Sequence, residues 1–116
     1  IERTHPDLAA NAGGPNYNFL IDTPNGDPMA RSLFHGTAVA GLIAAAGGNR
    51  VGLTGMAPQA KLASWVIFDN TDTNQPDEVG FADMFGTANQ TVGVQNHSWG
   101  NADYSFVELT AVEDQA

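Results

Sequence analysis

The chain has no cysteine among its 116 residues. That rules out disulfides, thiolate metal sites and a cysteine nucleophile. Basic residues are scarce as well. Arg3, Arg31, Arg50 and Lys61 stand against 13 acidic residues, for a formal net charge of -9. So few cations argue against a nucleic-acid partner, because phosphate binding needs many. No apolar run approaches the ~20 residues that cross a bilayer, so no membrane span is expected. The first residues also lack the basic and apolar regions of a signal peptide. An acidic, cysteine-free composition suits a secreted or periplasmic protein.

What is present describes a globular chain. Hydrophobic residues make up 42% of it, too many for wholesale disorder. The length allows one domain with a modest core. The chain begins abruptly at Ile1. Near its end, Ser105 and Glu108 read as a capping box, and Phe106, Leu109 and Val112 have helical spacing. No C-cap signal follows before Ala116, so the chain is expected to be a fragment.

Between these ends the pattern alternates. Tyr17 to Ile21 reads as a short strand, followed by the turn-rich loop Asp22-Thr-Pro-Asn-Gly-Asp-Pro28. Residues 35–47 form the best helix candidate. It is nearly all small or apolar from Ala38 to Ala46, which predicts burial on most sides, and Gly47-Gly48 is expected to end it. Leu62 to Phe68 is a continuous apolar run and reads as a strand covered on both faces, with Trp65 and Phe68 in the core. Pro76, Asp77 and Glu78 start a second helix whose inner face is Phe81, Phe85 and Ala88. A third strand is expected from Val92 to Ser98. This β-α-β-α-β-α order predicts a parallel sheet with helical crossovers, and ligands bind at the carboxyl ends of its strands.

His35, in Phe34-His35-Gly36-Thr37, opens the first helix. The positive end of a helix disfavours imidazolium, so a ring there is kept neutral and basic. Gly36 leaves room for another backbone or a substrate to approach. Position alone leaves two readings open: a general base, or a capping or structural histidine.

Three motifs add to this position. They are His35-Gly-Thr-Ala-Val-Ala-Gly-Leu-Ile-Ala-Ala45, Gly55-Met-Ala-Pro58 and Asn96-His-Ser-Trp-Gly100. In this order and spacing the chain resembles the subtilisin-like serine proteases over nearly its whole length. The opening Ile1-Glu-Arg-Thr-His-Pro-Asp-Leu8 and the Ser-Trp-Gly segment look most like the kexin/furin branch. The resemblance implies a doubly wound α/β fold with a parallel sheet, here incomplete. Residues 1–116 would be a partial peptidase domain lacking its start and its C-terminal half. It also implies an Asp-His-Ser triad in that chain order, with His35 as the catalytic base acting on a peptide or protein substrate. The aspartate would lie shortly before Ile1, in an Asp-x-Gly turn, and the serine well past Ala116. The chain by itself is therefore expected to be inactive.

The resemblance assigns further residues. Ser98, Trp99 and Gly100 would bind substrate main chain as an added strand and wall the P1 pocket. The alternative for this segment is a strand end with a packing tryptophan. His97 would face away from the substrate side and be structural. Asp103 would give a preference for a basic P1 residue, against the alternative of a solvated turn aspartate. Asn101 departs from the branch, where proline is expected. Ser32, Leu33 and Phe34 replace an acidic or polar stretch, which argues against paired-basic cleavage. A structural Ca2+ is implied too, held by Asp7, the side chain of Asn49 and the carbonyls of Ala46, Val51 and Leu53. The alternative there is a polar helix-exit loop. The loop from Asp69 to Asn74 lacks the glycine of an EF-hand and reads as solvated.

Two other functions compete with the protease reading. One is a subtilase-like scaffold that binds without catalysis, its triad partners lost. The other is a nucleotide-binding α/β domain, against which the chain offers no Gly-x-Gly-x-x-Gly at a strand–helix turn.

Overall fold

A computed structural model describes residues 1–68 and 76–100. They fall into two compact units, divided after Gln75. The expected loop 69–74 and the expected final helix around Phe106 to Val112 lie outside the described residues, as do Asn101 and Asp103.

In the first unit, β1 is Asn16–Asn18, α1 is His35–Ala44 and β2 is Ser64–Val66. The two strands are parallel, in the register Asn16–Ser64, Tyr17–Trp65 and Asn18–Val66. A parallel β-α-β unit is therefore present, as the alternation predicts.

Both strands are shorter than the apolar runs that suggested them. β1 ends at Asn18 because its own side chain starts a turn, with Oδ1 accepting from the Leu20 N–H at 2.9 Å. The chain then doubles back through Asp22, at φ 52°. Thr23 and Asn18 exchange backbone bonds there at 2.8 and 3.2 Å. In β2 only Ser64 and Val66 are buried, while Trp65 and Phe68 are half-buried rather than core. The strand alternates because it is covered on one face among the described residues.

α1 stops at Ala44, three residues earlier than expected, and Gly47-Gly48 plays no part in ending it. Ala45 caps it in an extended conformation. The last carbonyls are taken by other parts of the unit. Leu42 and Ile43 accept from the N–H groups of Met56 and Ala57 at 3.0 and 2.7 Å, and Ala45 accepts from Gly55 at 3.0 Å. Ala44 accepts from Asn11 Nδ2, also at 3.0 Å. Helix ends leave four such acceptors, and tertiary donors here satisfy all of these. Gly55 makes this possible. A Cβ on it would lie 2.5 Å from the Ala45 nitrogen and 2.6 Å from that of Ala44.

The prediction that α1 is buried on most sides does not hold. Only Ala40 and Ala44 are buried within it, and Leu42 is 64% exposed. Its two buried alanines lie four residues apart, a single narrow stripe. The core is correspondingly small: Leu8, Ala40 and Ala45 pack together, with Ile1 and Leu62 against them.

The second unit contains α2, Glu78–Gly86. Asp77 caps it, its carboxylate accepting from the Gly80 N–H at 2.9 Å. Its most buried residue is Met84, 1% exposed, rather than the expected phenylalanines. Ala88 lies past the helix, at φ 58°. Residues 92–100 form no strand, contrary to expectation, since a strand needs a ladder and none is present among the described residues. Ring contacts hold this segment instead. Phe81 meets Trp99 with centroids 5.6 Å apart, and Phe85 meets His97 at 5.0 Å. The Gln95 amide also donates to the Phe85 carbonyl at 2.9 Å.

Candidate functional site

His35 is the first residue of α1, and its side chain is exposed. The helix has no side-chain cap: Phe34 precedes it with helical angles and no capping bond. The unbonded N–H groups of the first turn therefore face the region around the imidazole. Thr37 ties this turn to the start of the chain, its Oγ accepting from the Glu2 N–H at 2.8 Å. The space beside Gly36 is open. A Cβ there would meet only Ile1 Cγ2, at 3.9 Å, so no close backbone approach uses it among the described residues. Phe34, the residue before His35, is 69% exposed.

The five residues expected to hold a cation come together around one carboxylate. Asp7 is 4% exposed. Its Oδ1 accepts from Asn49 Nδ2 at 3.1 Å and its Oδ2 from the Leu53 N–H at 2.9 Å. Its backbone carbonyl accepts from the Ala46 N–H at 2.8 Å. Val51 joins through Asn49, whose Oδ1 accepts from the Val51 N–H at 3.0 Å. These bonds, Leu53 first and Asn49 second, hold the Asp7 carboxyl below the usual carboxylate range. The loop 48–54 lines a concavity of about 370 Å³.

Two further residues of this cluster, Gly52 and His5, are not among the expected ligands. Gly52 sits at φ 49°, and a Cβ on it would lie 2.2 Å from Asp7 Oδ2. Only glycine lets the loop wrap the carboxylate this closely. His5 accepts from the Asp7 N–H through Nδ1 at 3.2 Å. The alternation of Gly52 with Val51 and Leu53 was the one available clue to the first.

The carbonyl oxygens of Ala46, Val51 and Leu53 accept no hydrogen bond among the described residues. They belong to the same cluster as the buried Asp7 carboxylate and the Asn49 amide oxygen. All-oxygen donors of this kind fit calcium.

Ser98, Trp99 and Gly100 belong to the second unit. They are exposed and lie in no strand or helix. Ser98 Oγ accepts from Asn96 Nδ2 at 2.8 Å. Trp99 is 40% exposed, and a Cβ on Gly100 would meet nothing within 4 Å. His97 is exposed at its outer side but touches the rings of Phe85 and Trp99, and this partial desolvation lowers its pKa. No helix among the described residues is long and apolar enough to cross a membrane.

A parallel β-α-β unit with an exposed histidine opening its helix places the chain among α/β proteins. The subtilase family profile (peptidase S8) matches residues 1–115, and the chain belongs to that family. It is 34% identical to fervidolysin of Fervidobacterium pennivorans over 97% of this chain and 17% of that protein. It is 31% identical to the Aeromonas extracellular serine protease of Aeromonas sobria, over 83% of this chain and 15% of the relative. With subtilisin E of Bacillus subtilis it shares 37% identity over 65% of this chain and 18% of that one. The chain thus spans less than a fifth of each relative. No solved structure matches it significantly.

Proposed function

We propose that this chain is part of a serine endopeptidase in which His35 is the general base. The exposed imidazole at the head of α1 carries this reading, together with family membership. The ring takes the proton of a serine hydroxyl as that oxygen attacks the scissile carbonyl, then returns it to the leaving amine. The serine, and the aspartate that orients the ring, are proposed to come from sequence flanking residues 1–116. The extracellular proteases among its relatives favour secretion. Peptide hydrolysis lost on His35→Ala, with the fold intact, tests the reading. Unchanged hydrolysis would remove His35 from the reaction, whereas no hydrolysis by the unaltered protease would leave the binding scaffold.

Substrate main chain is proposed to lie along Ser98, Trp99 and Gly100, with Asp103 facing a basic P1 residue, as in the kexin/furin branch. Phe34 beside the base argues for an apolar rather than a second basic neighbour. Asp103→Asn is expected to lower kcat/KM for Arg at P1 by about tenfold to a hundredfold, the scale of one charged hydrogen bond. The value for Leu at P1 serves as the reference, and an unchanged Arg/Leu ratio rejects the assignment.

Asp7, Asn49 and the carbonyls of Ala46, Val51 and Leu53 are proposed to hold calcium. The ion would supply a rigid cross-link between the 48–54 loop and the segment at Asp7. Millimolar calcium is then expected to raise the melting temperature of the protease, and Asp7→Ala to remove most of that gain. The gain should also fade in acid, because a protonated carboxyl does not ligate the ion. Equal melting with and without calcium at neutral pH would rule the site out.

A further inference from the structure

The loop between β1 and α1 contains the only Asn-Gly pair in the sequence, Asn25-Gly26. Neither the hydrolase reading nor the cation cluster uses it. Asn25 is exposed, and its Oδ1 accepts from the Asp27 N–H at 3.1 Å. That bond draws electron density from the amide carbon. The Gly26 N–H donates to nothing among the described residues. No side chain on residue 26 shields this nitrogen.

We infer that Asn25-Gly26 is a site of spontaneous deamidation whose isoaspartyl product undocks the loop from β2. The Gly26 nitrogen gives its proton to hydroxide and bonds to Cγ of Asn25. The side-chain nitrogen leaves as ammonia, and a five-membered imide remains. Water then opens one of its two carbonyls. One opening gives aspartate; the other routes the main chain through the former side chain and lengthens it by one methylene.

The two products fit this loop differently. Aspartate at position 25 keeps an exposed side chain and an oxygen for the Asp27 N–H. The lengthened backbone has no room. Gly26 is buried against Ser64, whose Oγ donates to the Gly26 carbonyl at 2.5 Å. Even one added carbon on Gly26 would lie 2.6 Å from the Cβ and carbonyl oxygen of Ser64. The next residue, Asp27, is equally fixed. Its carboxylate accepts from Arg3 N, Nε and Nη2 at 3.1, 3.2 and 3.0 Å. An inserted methylene shifts Asp27 off this fork, and the loop loses both anchors.

The test is ageing of the full chain in mildly alkaline buffer, with mass analysis of the peptide that carries residue 25. Isoaspartate is detected by enzymatic methylation. A synthetic peptide of residues 20–31 gives the unstructured reference. Conversion in the folded chain is expected within about tenfold of the peptide rate, and none at this position in Asn25→Gln. The isoaspartyl fraction is expected to melt below fresh protein, whereas Asn25→Asp melts with it. A folded chain that keeps its amide while the peptide loses it overturns the site. An isoaspartyl fraction that melts with Asn25→Asp overturns the undocking.

Discussion

Replacing His35 with alanine is expected to abolish peptide hydrolysis by the protease while leaving its melting temperature unchanged. The expected loss in kcat is about a millionfold, the cost known for removing a triad member from subtilisin itself, a relative of this chain. The size follows from the unit nature of such a triad: without the base the hydroxyl is not activated, whatever else remains in place. The fold should survive because the side chain is exposed and makes no hydrogen bond among the described residues. Alanine also suits a helix start that has no cap to lose. Steady-state kinetics with a chromogenic peptide, beside a thermal melt, separates the two effects. Activity near wild type would remove His35 from the reaction.

The largest stability effect is expected at Asn11. This side chain is 5% exposed and joins three segments. Its Nδ2 donates to the Ala44 carbonyl at 3.0 Å and to the Pro58 carbonyl at 2.8 Å. Its own backbone carbonyl accepts from the Leu62 N–H at 2.8 Å. Asn11→Ala leaves two carbonyls without their donor, each costing about 1–3 kcal/mol when buried. Only the Ala44 end of the pair is fully enclosed, so a total of about 2–4 kcal/mol is expected. Asn11→Leu should fall as far, because it restores volume without a donor. Denaturant unfolding of both variants checks this, and a stable Asn11→Leu would show that packing rather than hydrogen bonding matters there.

The residues that gather at Asp7 show no pattern of their own in the sequence. Asp7 and the Asn49–Leu53 loop stand 42 and more positions apart, and the family resemblance alone paired them. The structure adds why the pairing closes: Gly52 leaves the carboxylate unobstructed and His5 braces it from its own side. Asn11 gave no such signal. A lone asparagine among alanines and glycines carries no motif, and its two acceptors come from residues 33 and 47 positions away. The failed third strand has a similar cause. Val92 to Ser98 has strand-like residues, but pairing depends on a neighbour, and Phe81 and Phe85 offer rings in its place.

The sequence by itself determined the alternation of strand and helix, the histidine at the helix start and the membership of a protease family. Each of these depends on local pattern or on the residues of a motif. Only the tertiary structure decided where α1 ends, which of its faces is buried and how the loop after it closes on Asp7. Those outcomes rest on donors and acceptors supplied by distant segments: Asn11 to Ala44, Gly55 to Ala45 and Leu53 to Asp7. A hydrogen bond between residues dozens of positions apart leaves no periodicity in the chain, so the fold alone could reveal it.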